Sequence, residues 1–139
     1  MIDERGSIVT VAEGDFKCVQ VIESKKGSIR SNHMHKNGGH WLYVLSGRMV
    51  YREYAVHPED LIHMGNREIL VPPLRIEWDK VQEVGPGEKV WSGSWMYHQT
   101  EFLEDTVLIS CAITALDHDS YEADTIRHGY MAANQLFRC

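Results

Sequence analysis

Residues 27–47 read GSIRSNHMHKNGGHWLYVLSG, and the spacing within this stretch points to a β-structure with an occupied interior. His33 and His35 stand two apart, so in a strand both imidazoles leave the same face, roughly 6.5–7 Å apart along the chain. Two ring nitrogens at that spacing can converge on one ion with metal–nitrogen bonds of about 2.0–2.2 Å. Gly38-Gly39 turns the chain, and His40 opens a further strand from which it can enter the same interior. The apolar run Trp41–Leu45 then meets Ser46-Gly47, a hairpin signal. His98 lies in a distant short strand, with Met96 and Thr100 on its face.

The rest of the chain continues as short strands separated by turns. Phe16–Glu23 alternates, with Phe16, Cys18, Gln20 and Ile22 on one face and Lys17, Val19 and Val21 on the other. Further strands are expected over Met49–Val56, Glu68–Val71, Arg75–Trp78, Lys89–Trp91, Trp95–Phe102 and Thr106–Thr114, rich in β-branched and aromatic residues. Pro72-Pro73 and Val84-Gly85-Pro86-Gly87 punctuate them. A short helix is expected only within Ser120–Leu136, capped by Asp119 or Ser120 and interrupted by Gly129. This pattern predicts an all-β sandwich or barrel forming one domain over residues 1–139.

Composition narrows the function. With 43% hydrophobic and 24% charged residues, the 139-residue chain can build a core, which excludes disorder and coiled coil. The net charge of −6 argues against a nucleic-acid surface. No apolar run approaches the roughly 20 residues needed to cross a bilayer. The opening MIDERGSIVT is no signal peptide, so a cytoplasmic location is expected, with Cys18, Cys111 and Cys139 as reduced thiols.

The histidine spacing resembles that of the cupins. Their first motif runs Gly, five residues, His-x-His, three or four residues, Glu, six residues, Gly. Here Gly27, His33, His35, His40 and Gly47 keep those intervals, with His40 where the glutamate usually stands. The second motif runs Gly, five residues, Pro-x-Gly, two residues, His, three residues, Asn. Gly87, Gly93-Ser94-Trp95, His98 and Phe102 keep that spacing, with Gly93, Trp95 and Phe102 replacing Pro, Gly and Asn. Motif one therefore spans 27–47 and motif two 87–102. The resemblance implies a single-domain cupin jelly-roll barrel with at most a short C-terminal helix. It also implies one divalent transition metal held by His33, His35 and His98, with His40 carried over by position, and a homodimer.

Nitrogen ligands suit Mn, Fe, Ni, Cu or Zn. Four neutral imidazoles would leave the ion its full charge to polarise a bound oxygen. Each ring must lose its proton to bind, so release of the ion is expected near pH 5, from a reference pKa of about 6.5. Residues expected on the inward face are Leu42, Val44, Met96, Thr100 and Phe102, giving a mostly apolar pocket. Arg30, Tyr51, Glu53 and Arg75 are candidates for polar contacts to substrate, and Tyr97 is expected to face away. Trp41, Tyr43, Tyr51, Tyr54, Trp78, Trp91, Trp95 and Tyr97 are read as core or dimer packing, with a few able to line the mouth and stack on a sugar. His57, His63, His118 and His128 fit no motif and are read as surface or loop residues.

Three functions follow from this. The first is a metal-dependent enzyme on a small polar organic substrate, with oxygenase- or Lewis-acid-type chemistry. The second is a nucleotide-sugar isomerase or epimerase, because Arg30-Ser-Asn-His-Met-His-Lys36 is similar to an Arg-Gly-Asn-His-x-His stretch of cupin domains in surface-polysaccharide synthesis. That chemistry needs a general base and a basic phosphate-binding patch, neither of which is visible in the sequence. The third is a non-catalytic sensor that binds a small molecule.

Overall fold

The computed structural model describes residues 1–115 and 117–128. Thirteen strands are present among them: β1 (Ile2–Asp3), β2 (Gly6–Ser7), β3 (Cys18–Ser24), β4 (Ile29–His35), β5 (His40–Ser46), β6 (Met49–Ala55), β7 (Leu61–Met64), β8 (Arg67–Leu70), β9 (Lys80–Val84), β10 (Lys89–Ser92), β11 (Met96–Phe102), β12 (Thr106–Ala112) and β13 (Thr125–Ile126). One helix, α1 (His118–Asp124), precedes β13. Two antiparallel sheets make the body. One has the order β10-β5-β12-β3 and the other β13-β4-β11-β6-β9. The crossovers between sheets are those of a jelly roll, as expected. Among the described residues no helix is long and apolar enough to cross a membrane.

Strand alternation divides the apolar residues into two cores. Between the sheets Leu42, Val44, Met49, Tyr51, Val84, Val90, Phe102 and Leu108 pack together, with Ile22 against them. On the far side of the five-stranded sheet Met34, Val56, Leu70, Tyr97 and Ile126 form a second cluster, joined by Tyr54, Leu61, Trp78 and Trp95. Met34 lies between His33 and His35 in β4, and Tyr97 precedes His98 in β11. Each apolar residue thus sends its histidine neighbour to the opposite face. Tyr97 faces away from the histidines, as expected. Burial of this kind stabilises by about 1.5–3 kcal/mol per large side chain, which is what holds the two sheets face to face.

Several expectations change. Arg75–Trp78 is irregular rather than a strand, and Trp78 leans on the outer cluster instead. The strand forms next, at β9, pairing with β6 from Met49↔Val84 to Glu53↔Lys80. Its composition (KVQEV) hid it, since at a sheet edge only Val84 is fully buried. β7 and β8 form a hairpin of their own, where only the second strand was expected. The helix begins earlier than Ser120. Asp117 is its cap, accepting from the Ser120 amide at 3.1 Å, and it ends at Asp124 because Thr125 and Ile126 pair with His35 and Met34 of β4. The expected helical residues from Gly129 onward, and Cys139, lie outside the described residues. Cys18 and Cys111 are free thiols in β3 and β12.

His57 and His63 are exposed, as read, whereas His128 is a correction. It is fully buried, its ring stacked 4.1 Å from that of Tyr97 and its Nε2 2.7 Å from Tyr54 Oη. The short β13 carries the chain back under the outer cluster, which no local pattern announces.

Gly47, closing the first motif, has a backbone requirement. Its φ is +89°, and a Cβ there would stand 2.4 Å from Asp105 O and 2.5 Å from Thr106 Oγ1. Gly47→Ala is therefore expected to destabilise the fold by about 1–3 kcal/mol, from the left-handed backbone and the clash together. Urea unfolding followed by tryptophan fluorescence measures this, and an unchanged midpoint would contradict it.

Candidate active site

The site begins with an irregularity in β4. Its ladder with β11 pairs His33 with His98, then Ser31 with Gln99, then Arg30 with Thr100, so Asn32 has no opposite residue. Ser31 and Asn32 take φ of +75° and +57°, and Asn32 Oδ1 accepts from Gln99 Nε2 at 3.0 Å. This is a β-bulge with one extra residue. In a regular strand positions 30 and 33 differ by an odd number and face opposite ways. Here the bulge restores the parity. Arg30 shares the face of its partner Thr100, and His33 shares the face of His98.

A second device orients β11. Trp95, where the resembling motif carries Gly, sits at φ +59°. Two backbone bonds hold it there: its N–H donates to His35 O at 2.8 Å, and its carbonyl accepts from the Val56 amide at 2.9 Å. A left-handed non-glycine residue costs about 1–2 kcal/mol, which packing of the indole against the outer cluster offsets. The turn of the second motif survives the substitution.

Together these bring His33, His35 and His98 to one place. One ring nitrogen from each lies within 4.8 Å of the others, and all three residues are buried. Ring centroids are 4.5 Å apart for His33–His35 and 4.9 Å for His33–His98. His40 approaches from the opposite sheet, its centroid 6.2 Å from that of His98 and its Nδ1 2.9 Å from Ser110 Oγ. It stands outside the group of three. The Nε2 atoms of His40 and His98 are buried without a hydrogen-bond partner. Such orphans are uncommon in folded proteins and mark places where a ligand or ion is satisfied. The three-histidine cluster therefore fits a divalent transition ion by donor type and proximity.

Burial sets the charge of these rings. Desolvation is the largest cause for each, followed for His33, His35 and His40 by repulsion from neighbouring imidazoles. His33 is lowered well below its ordinary value, His35 and His40 to about 3, and His98 to about 4. All four are uncharged at neutral pH.

The cavity above the cluster has a volume of about 700 Å³, within the usual range for small-molecule sites. His33, His35 and His40 lie in its wall, with Lys17, Arg30 and Arg127 supplying cations and Tyr121 and Asp124 descending from α1. Arg30 Nε donates to Ser24 Oγ at 2.8 Å and its Nη2 to Glu23 O at 3.0 Å, which aims the guanidinium along the wall. Asp124 clamps the helix over the opening, accepting from the amides of Asn37 and Gly38 at 2.7 Å each. Tyr121 Oη lies 3.4 Å from His33 Nε2.

Of the expected pocket residues, Arg30 lines the cavity. Leu42 and Phe102 are in the core between the sheets, with Tyr51, whose hydroxyl donates to Glu53 Oε2 at 2.9 Å and accepts from Ser92 Oγ at 3.1 Å. Glu53, Met96 and Thr100 share that side of the five-stranded sheet but are not in the cavity wall; Met96 contributes a carbonyl to His98 Nδ1 at 3.0 Å. Arg75 lies in a separate surface cleft. The wall's surface is mostly apolar, as expected, although Leu42 and Phe102 do not supply it, since both pack in the core between the sheets. None of the eight tryptophans and tyrosines singled out in the sequence lines it; the tyrosine in its wall is Tyr121, while Tyr51 stacks on His98 from the core, 6.1 Å between ring centroids. The basic patch, invisible in the sequence, is assembled from Lys17, Arg30 and Arg127, which lie far apart along the chain.

No family model matches the sequence, and no curated protein matches it. Solved structures do. QdtA, a sugar 3,4-ketoisomerase from Thermoanaerobacterium thermosaccharolyticum in complex with TDP, is 21% identical, with a TM-score of 0.65 over 99% of this chain and 90% of that one. A mutant of the same protein has been solved with TDP-4-keto-6-deoxyglucose. WlaRB, a TDP-quinovose 3,4-ketoisomerase from Campylobacter jejuni, is 20% identical with a TM-score of 0.64, covering 92% of this chain and 86% of its own. The dTDP-4-dehydrorhamnose 3,5-epimerase from Sulfolobus tokodaii is 17% identical with a TM-score of 0.64, covering 86% and 69%. At these identities the likeness is one of architecture: the chain has the cupin jelly-roll fold that these sugar-modifying proteins share.

Proposed function

We propose that this protein is a nucleotide-sugar tautomerase, a 3,4-ketoisomerase or a related epimerase, acting on a TDP-linked 4-keto sugar. The observation that carries the proposal is the cavity itself: uncharged, buried imidazoles in its wall beside the cations Lys17, Arg30 and Arg127. The cations suit a diphosphate. The imidazoles suit a carbon acid, because the hydrogens on a carbon next to a carbonyl are the ones a neutral base can remove. The architecture shared with the ketoisomerases supports the same substrate class.

The chemistry needs no oxidant. A ring nitrogen takes the C3 proton, the C3–H electron pair becomes a C3=C4 double bond, and the C4 oxygen takes up a proton to give an enediol. Return of a proton to C4 with loss of the O3 proton then yields the 3-keto sugar. His33 and His35 are the groups assigned to these transfers, with Tyr121 within reach of His33 as a proton partner. An anionic diphosphate beside Arg30 and Lys17 would raise the imidazole pKa values from their low resting range, strengthening the bases when substrate is present.

A second function is favoured by a separate observation, the gathering of His33, His35 and His98 with the orphaned His98 Nε2. These three would hold Mn, Fe, Ni, Cu or Zn, and such an ion would supply Lewis-acid polarisation of a substrate oxygen. The two functions separate cleanly. Tautomerase activity is expected to survive dialysis against a chelator. Activity that disappears with the chelator and returns with one of these ions would transfer the assignment to the metal enzyme. Homodimer formation is part of the proposal as well, supported by exposed Val19 and Val21 on the edge strand β3; light scattering reads the mass.

For the main assignment, NMR of TDP-4-keto-6-deoxyglucose in D2O should show loss of the C3 proton signal on adding protein. His33→Asn and His35→Asn should each slow that exchange about 10²–10⁴-fold, the usual worth of a general acid or base. Arg30→Met should weaken TDP binding about tenfold or more, the loss of one charge-assisted contact. Absence of both TDP binding and C3–H exchange in the wild-type protein would overturn the assignment.

The neutral rings also predict acid sensitivity. An unfolded imidazole binds a proton below about pH 6.5, whereas the folded rings refuse it until about pH 3–4. Stability is therefore complete above pH 6.5 and falls between pH 6.5 and about 4, because the unfolded state holds more protons there. The loss is on the order of 1 kcal/mol per ring per pH unit. Thermal melts in apo buffer from pH 7.5 to 5 should show a falling Tm; a flat profile would refute the buried neutral state.

A further inference from the structure

Thr125 occupies the junction where α1 ends and β13 begins, opposite His35 in the β13–β4 ladder. Its hydroxyl carries a single hydrogen. Thr125 Oγ1 lies 2.5 Å from the carbonyl oxygen of Tyr121, which can only accept, so that hydrogen is committed to Tyr121. Toward His35 the same oxygen can then only accept. His35 Nδ1, 3.1 Å away, must be the donor. The Asp124 carboxylate, 3.9 Å from that nitrogen, favours a proton there too. A neutral imidazole has one N–H, so His35 is left with its lone pair on Nε2. His98 reaches the same tautomer by another route, its Nδ1 lying 3.0 Å from the carbonyl oxygen of Met96.

We propose that Thr125 is a positioning residue of the site: through its bond to Tyr121 it fixes His35 as the Nδ1–H tautomer and so makes Nε2 the proton-accepting atom. The arrangement ties the base to the segment that closes the cavity. Tyr121 and Asp124 of α1 line that cavity, and the hydroxyl that sets the His35 tautomer is held by the last turn of the same helix. The catalytic part of this role rests on the tautomerase assignment above, whereas the tautomer itself does not.

The experiment is long-range ¹H–¹⁵N correlation NMR on protein labelled at histidine, at pH 7, for wild type, Thr125→Val and Thr125→Ser. The His35 signals are assigned by their loss in His35→Gln. Wild type and Thr125→Ser should show the Nδ1-protonated pattern for His35, and Thr125→Val should move it toward Nε2–H. With TDP-4-keto-6-deoxyglucose, kcat for Thr125→Val should fall about 10- to 100-fold, the usual effect of removing an orienting partner, with KM nearly unchanged and recovery in Thr125→Ser. A wild-type His35 protonated on Nε2, which needs no variant to detect, would overturn the proposal. So would a Thr125→Val spectrum identical to wild type, or a Thr125→Val kcat equal to that of wild type. If the spectra follow expectation and the wild-type protein turns over no nucleotide sugar, the tautomer assignment stands and the tautomerase assignment falls.

Discussion

The unpaired Asn32 in β4 sets the geometry on which the rest of the site depends. A strand alternates its side chains strictly, so a guanidinium at position 30 and an imidazole at position 33 belong to opposite faces unless a residue is added to the ladder. The bulge adds that residue, at the expense of two left-handed non-glycine conformations, and Asn32 repays part of it by accepting from Gln99 across the ladder. A cation and a base thereby share one wall of the cavity. Backbone irregularities that persist in this way are held by their surroundings and gather where function is built.

Burial then decides what the histidines are. Exposed, the same rings would be partly charged near neutral pH; packed between two sheets, they stay neutral far into the acid range. A neutral ring must place its one hydrogen, and the surrounding acceptors choose where. The Met96 carbonyl does so for His98 and the Thr125 hydroxyl for His35. His35 and His98 are therefore bases with defined lone pairs, and together with His33 they supply the donor set a metal ion would need. Both proposed chemistries draw on this one set of atoms, and the cations in the wall are the reason a sugar nucleotide is the substrate proposed.

The segment after β12 completes the cavity. Helix α1 is a short one, too short to be stable alone. It persists because Asp124 anchors it to the amides of the 37–38 turn and because β13 continues into the β4 ladder. Tyr121, the aromatic ring in the cavity wall beside the histidines, arrives by this route. Ring stacking of His128 on Tyr97 secures the chain on the far side of the sheet.

Much of the architecture is legible in one dimension. His33-Met34-His35 and Tyr97-His98 carry the alternation that sends histidines inward and apolar residues outward, and Gly47 marks a turn that no larger residue fits. These are local properties, determined by the two-residue period of a strand and by the φ that glycine alone adopts freely. The strand β9 escaped because an edge strand need bury only one residue, and the expected strand at Arg75–Trp78 failed because tertiary packing claimed Trp78 for the outer cluster. Leu42, Tyr51 and Phe102 were assigned to the pocket because the face they share was not divided between the closed end of the barrel and the open one. Which residues of an inward face reach a cavity depends on where the two sheets part. So does the meeting of Lys17, Arg30 and Arg127. The sequence by itself determined the strands, the turns and the inward histidines; tertiary structure alone decided the cations, the tautomers and the helix that closes the site, because these depend on contacts between residues as many as 90 positions apart.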